Sequence, residues 1–199
     1  MSLTLYEFKP TRSARVRWTL LELGLPFDSR EGVELFRGDE LRKISPLNKL
    51  PGFVDDGRPL FESMAICNWL ADSHPDKAFV AASGTWQRAQ HDQWCAFTLA
   101  ELEAHLWSTA RNSFVYDEDK RNASIIPQND FEAGRALAVL DTHLAGRSFF
   151  IGDAFSLTDV FVGYVTHWAE GSGLGAACAN VRAFNERLRA MPNCPYTLA

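Results

Sequence analysis

Two hydroxyls, Thr11 and Ser13, stand in the polar loop Lys9-Pro10-Thr11-Arg12-Ser13, directly ahead of a segment with helical periodicity. A hydroxyl donor beside a helix N-terminus stabilises an anion, because the hydrogen bond and the positive end of the dipole act together. A free thiol titrates near ~8.5, and such surroundings lower that value. The chemistry on offer is thiolate stabilisation, by Thr11 or by Ser13, whichever is not simply the helix N-cap. A second pair, Glu62-Ser63, opens another helical segment. A carboxylate and a hydroxyl often cap a helix. The same pair also suits a zwitterionic amino-acid head. Ser63 would donate to its carboxylate over the free N–H groups, and Glu62 would accept from its ammonium.

A third element is Leu50-Pro51, just before an apolar strand. A trans bond there is a plain rigid turn, the common case. A cis bond turns the Leu50 backbone outward, where its N–H and C=O can pair with an extended peptide. The position, after a strand–helix–strand unit and before a hairpin, favours the cis form.

These motifs need elements to hold them. Leu3 to Phe8 alternates at period two and predicts a strand. Ala14 to Leu23 repeats apolar residues at helical spacing (Val16, Leu20, Leu23), with Gly24 as its stop. Phe27 to Glu31 predicts a second strand, parallel to the first. Residues 38–46 support a short helical turn at most. Phe53-Val54 and Leu60-Phe61 flank the turn Asp55-Asp56-Gly57-Arg58 as a hairpin, and Met64 to Ala71 is helical. The first domain, 1–76, therefore reads βαβαββα.

After a linker over Ser73 to Gly84 only helical periods remain. One helix is expected over Thr85 to Ala110, with Trp86, Ala89, Gln93, Ala96, Phe97 and Ala100 down one side. Others are expected over Gln128–Leu144, Leu157–Ala169 and Ala179–Met191, making 85–199 an all-helical domain. Ser156 and Asp159 have capping-box spacing, with Phe155 and Val160 as a hydrophobic staple.

Composition excludes several classes. The chain has 199 residues, 46% hydrophobic and 23% charged, which is ordinary for a globular protein. Net charge is -5 and no run of Lys or Arg occurs, which argues against nucleic acid and anionic membranes as partners. No leader-like segment precedes Leu3, and no apolar run reaches a membrane span. Cys67, Cys95, Cys178 and Cys194 form no C-x-x-C, so free thiols in the cytoplasm are expected. His91, His105, His143 and His167 lie on predicted helices without metal-ligand spacing, so no metal is expected and a surface role is. The glycine-rich Gly171 to Gly175 follows a helix and no strand, which excludes a dinucleotide site.

The series S-P-L-N-K-L-P over 45–51, then the hairpin, then E-S at 62–63, resembles the glutathione-binding half of the glutathione transferases. The run F-x-x-G-x-x-F-S-x-x-D ending at Asp159 resembles the capping motif of their helical domain, which extends the likeness to about residue 190. The resemblance implies a thioredoxin-like α/β domain packed on a C-terminal helical bundle. It implies glutathione as co-substrate, conjugated to a small apolar electrophile by a cytoplasmic homodimer without a metal. Carried over, Leu50 with Pro51 holds the cysteinyl backbone, and Glu62 with Ser63 holds the γ-glutamyl end. Lys49 and Arg15 are further candidates near glutathione. Thr11 or Ser13 acts on the sulfur, since Lys9 to Ala14 holds no Tyr or Cys, and Tyr6 lies within the strand. Phe8, Trp107, Phe114 and Tyr116 are the candidates for the electrophile pocket. Two alternatives are a glutathione-dependent peroxidase or thiol-exchange enzyme, and a non-catalytic interaction module. The intact Leu50-Pro51 and Glu62-Ser63 argue for ligand binding.

Overall fold

The computed structural model describes residues 2–196, apart from the side chain of Arg37. They form two compact units. One runs to Thr85 and takes in the segment from Pro192; the other is Trp86–Met191.

The first unit is built on a four-stranded sheet of β1 (Leu3–Glu7), β2 (Asp28–Glu31), β3 (Gly52–Asp55) and β4 (Arg58–Phe61), in the order β2-β1-β3-β4. β1 and β2 are parallel, with Thr4 opposite Asp28, because a helix carries the chain back between them. β3 runs antiparallel to β1, with Tyr6 opposite Gly52, and β4 pairs with β3, with Gly52 opposite Phe61. Asp56 and Gly57 have φ of 46° and 79°, the double positive that a two-residue hairpin turn demands.

Alternation predicts one exposed face for β1, yet Leu3, Leu5, Tyr6 and Glu7 are all buried. The strand is central and covered on both faces. Tyr6 packs with Leu41, Ile44 and Leu50. Leu41 and Ile44 belong to α2 (Asp39–Ile44), a longer helix than the single turn expected there, and Val33–Arg37 precedes it as a 3-10 turn. α1 (Ser13–Leu23) lies against β1 and against α3 (Ser63–Asp72). α1 stops at Gly24, whose φ of 67° lets its N–H reach back to the carbonyls of Leu20 and Leu21.

The helical domain expected over 85–199 ends earlier. Residues 192–196 belong to the first unit, because Tyr196 sets its ring edge-on to buried Trp18 at 5.3 Å and Asn193 Nδ2 donates to Glu22 Oε1 at 3.3 Å.

The second unit contains α4 (Trp86–Phe97), α5 (Ala104–Ala110), α6 (Ile126–Leu144), α7 (Leu157–Gly171) and α8 (Ala179–Arg189). The single helix expected to end at Ala110 is a helical run continuing to Val115, widened into π turns over Thr98–Glu103 and Arg111–Val115. The stripe Trp86, Ala89, Gln93, Ala96 and Ala100 faces outward. The inward side is His91, Cys95, Thr98 and Leu102. Polar residues hid that face in the sequence; His91 is tolerated there because its Nδ1 lies 2.9 Å from the Thr158 hydroxyl and both are buried. His91 is thus a core residue, against the surface role expected.

α7 starts with the expected capping box. Ser156 N–H and Oγ donate to Asp159 Oδ2 at 2.8 and 2.9 Å, and Phe150 N–H donates to Oδ1 at 2.7 Å. Gly163 of α7 allows α8 to approach, since a Cβ there would lie 2.2 Å from Leu188 Cδ1.

Candidate functional site

The sheet register gathers the sequence motifs of the first unit at one end. Tyr6, near the end of β1, pairs with Gly52, which pairs in turn with Phe61. The loop carrying Thr11 and Ser13 leaves that end of β1. Leu50-Pro51 enters β3 there, and Glu62-Ser63 leaves β4 there.

Thr11 and Ser13 form one unit. Their side-chain oxygens lie 2.7 Å apart. Ser13 is buried and held by Phe8: its Oγ donates to the Phe8 carbonyl and accepts from the Phe8 N–H, both at 3.3 Å. Thr11 is half-buried, and its Oγ1 accepts from the Ser13 N–H at 3.4 Å. The N-cap of α1 is Arg12, whose side chain makes no capping bond. Ser13 is thus spent on holding the loop, and Thr11 is the more accessible hydroxyl over the first turn of α1. Phe8 itself packs against the cluster containing Tyr6 and Leu50, and its ring meets Phe36 edge-on at 6.0 Å.

At the head of α3, Glu62 is the N-cap by position, with φ 70° and ψ 114° and no capping bond from its side chain. A non-glycine residue at positive φ is strained by about 1–3 kcal/mol, and such strain concentrates at ligand sites. Its carboxylate is exposed and has no partner among the described residues. The capping role is therefore not what this pair performs. Ser63 is buried, and its Oγ accepts from Arg15 Nη1 at 3.1 Å. Arg15 is fully buried on α1. A guanidinium donating to Ser63 Oγ leaves the serine hydrogen to be given elsewhere. It also adds positive charge to a helix N-terminus that already favours an anion.

The Leu50-Pro51 bond is cis. Leu50 is buried, and Lys49 is exposed with its N–H donating to Ser45 Oγ at 3.2 Å.

Other candidates for thiol chemistry are removed by their surroundings. Tyr6 donates to Glu40 Oε1 at 2.5 Å, and burial with that bond holds its pKa at about 12. Burial also pushes the Cys67 thiol up to about 12, although Thr19 and Arg15 beside it act in the opposite sense. Neither is ionised near neutrality.

The aromatic candidates of the second unit lie on the last turns of its first helical run. Phe114 is 70% exposed and Tyr116 37%. Trp107 and Tyr116 both receive the Arg111 guanidinium, at 5.9 and 5.8 Å from their ring centroids. Among the described residues no cluster of three or more His, Cys, Asp or Glu side chains could hold a metal ion. No helix among them is long and apolar enough to cross a membrane.

A mixed sheet with helices, followed by a helical unit, is the two-part fold that the sequence resemblance implies. The chain matches the family models for the glutathione S-transferase N-terminal domain over residues 5–78 and C-terminal domain over residues 132–190. It is 28% identical over 173 residues to glutathione S-transferase U22 of Arabidopsis thaliana, covering 84% of this chain and 74% of that one. It is 29% identical over 171 residues to elongation factor 1-gamma of Prunus avium, covering 81% of this chain but only 39% of the longer relative. A glutathione transferase structure from Methylococcus capsulatus shares the fold with a TM-score of 0.83, at 23% identity and with 96% and 95% of the two chains covered. The chain belongs to the glutathione transferase family.

Proposed function

We propose that the protein is a glutathione transferase that joins the glutathione sulfur to small apolar electrophiles. The observation that carries this reading is the head of α3: an unpartnered Glu62 carboxylate beside a Ser63 hydroxyl whose acceptor side is taken by buried Arg15. An ammonium and a carboxylate on one carbon answer both groups. Leu50 beside the cis bond offers its backbone to the cysteinyl residue, and Lys49 adds positive charge at that edge.

Thr11 then donates to the sulfur. When Ser13 donates to Thr11 Oγ1 instead of to the Phe8 carbonyl, the Thr11 hydrogen is left for the thiolate. The thiol proton passes to water, the sulfur forms a bond to the electrophilic carbon, and the leaving group departs with its electron pair. Catalysis is pKa lowering and positioning. Phe8 in the first unit, and Trp107, Phe114 and Tyr116 in the second, are the apolar groups proposed for the acceptor. No metal takes part. The working form is a homodimer in the cytoplasm; the exposed apolar groups Trp86 on α4 and Phe131 and Val139 on α6 support the dimer.

The elongation-factor relatives favour a second reading, a binding module without turnover. Thiol exchange has less support, since Cys67 is buried and held at about 12. Calorimetry with glutathione on the wild type and Ser63→Ala, followed by an ultraviolet scan for bound thiolate, tests the proposal. Binding with a thiolate signal, weakened in the variant, supports the transferase. No binding at millimolar glutathione removes it in favour of the interaction module.

A further inference from the structure

Arg111 stands in the half-buried part of the second unit with a donor unused. Its Nε is buried and makes no hydrogen bond, and the residue has no ion-pair partner among the described residues. Its guanidinium instead lies within 6 Å of two ring centroids, Trp107 one turn before it and Tyr116 at the end of the π turn that Arg111 opens. Nearby charges are committed elsewhere in two cases. Asp117 accepts from Lys120 Nζ at 2.7 Å, and Arg121 Nε donates to the Tyr116 carbonyl at 2.8 Å, which fixes that ring's backbone. The widened turn puts five residues, Arg111–Val115, where a regular turn has fewer, and Phe114 emerges 70% exposed beside the group.

A lone surface arginine spreads its stem over apolar neighbours and keeps its head in water. Arg111 departs from that pattern, because its Nε has left water without gaining an acceptor. An undonated buried N–H on a cation costs free energy that a ligand oxygen recovers. The planar fork of a guanidinium matches a carboxylate, and the flanking rings match a flat apolar body. We infer that Arg111, with Trp107 and Tyr116, is a specificity-determining site for planar aromatic acceptors that carry a carboxylate. This inference rests on the transferase reading and narrows its substrate class from apolar electrophiles to aromatic acids.

The test uses two matched acceptors. One is a chlorodinitrobenzoate with its chlorine para to the carboxylate and flanked by both nitro groups; the other is its neutral carboxamide. In either, the glutathione thiolate adds at the chlorine-bearing carbon, the C–S bond forms, the C–Cl bond breaks, and chloride leaves with the electron pair. The readout is the ratio of kcat/KM for the acid to that for the amide. The wild type favours the acid, and Arg111→Leu lowers the ratio about tenfold or more, the effect of losing a hydrogen bond to a charged group. Arg111→Lys, which keeps the charge and loses the fork, gives an intermediate ratio. A ratio cancels general damage to the enzyme. A ratio unchanged in Arg111→Leu, with both acceptors turned over, overturns the inference and leaves the transferase standing. If neither acceptor reacts, the transferase reading fails, and equilibrium dialysis with unreactive dinitrobenzoate and dinitrobenzamide decides the site. Tighter binding of the acid that is lost in Arg111→Leu supports the Arg111 site, and equal binding of the two overturns it.

Discussion

Thr11 and Ser13 have the same chemistry and different surroundings, and the surroundings assign their roles. Ser13 is 2% exposed and bonded on both sides by Phe8, so in the proposed mechanism it acts through Thr11. Thr11→Ala is expected to lower kcat/KM about 10- to 100-fold and to abolish the thiolate absorbance, as loss of a hydrogen bond to an anion implies. Thr11→Ser retains both. Ser13→Ala reduces the rate less than Thr11→Ala and moves the pH profile in the same direction. The same logic at Ser63 predicts that Ser63→Ala weakens glutathione about tenfold by calorimetry. Arg15 remains buried behind it and still attracts the carboxylate, so binding is weakened without being abolished.

The capping box at the head of α7 is sensitive to pH. Burial raises the Asp159 pKa to about 6, against the opposing hydrogen bonds from Phe150 and Ser156. In the unfolded chain the group titrates near ~3.9. The folded state therefore holds this proton more tightly, and its contribution to stability is complete below about 4 and lost as pH rises through about 6. Relative to Asp159→Asn, which cannot ionise, the wild type should lose about 1.4 kcal/mol per pH unit across that window. Urea unfolding at several pH values measures it, and parallel curves for the two proteins would refute it. α4 shows the opposite balance. Its inward stripe carries His91, which meets the Thr158 hydroxyl, and Thr98, whose Oγ1 is buried without a hydrogen bond among the described residues.

At the scale of the whole molecule, exposure decides which thiols react. Cys67 and Cys95 are buried, whereas Cys178 and Cys194 are half-exposed. Native titration with a disulfide reagent should modify two thiols quickly, and all four only after denaturation. A fast third thiol in the native protein would contradict the assigned burial. The homodimer proposal belongs here too. Val139 is 46% exposed and lines a shallow groove with Phe97, Glu101 and Arg135. Val139→Glu should shift a wild-type dimer toward monomer in sedimentation equilibrium, because an unpaired charge in an interface is costly. A monomeric wild type would remove the proposal.

The sequence by itself determined the order of strands and helices in the first unit, the hairpin at Asp56-Gly57, the Ser156–Asp159 box and the membership of a family. Each is local: a period, a turn residue or a cap spacing acts within a few residues of itself. What no short window contains was decided by the tertiary structure. Arg15 meets Ser63 across 48 positions, and His91 meets Thr158 across 67. Tyr196 returns to Trp18 and takes residues 192–196 out of the helical unit. Arg111 reads as one more surface cation until its Nε is seen buried without an acceptor. Burial and partnership depend on which distant side chains arrive, and only the packed chain brings them together.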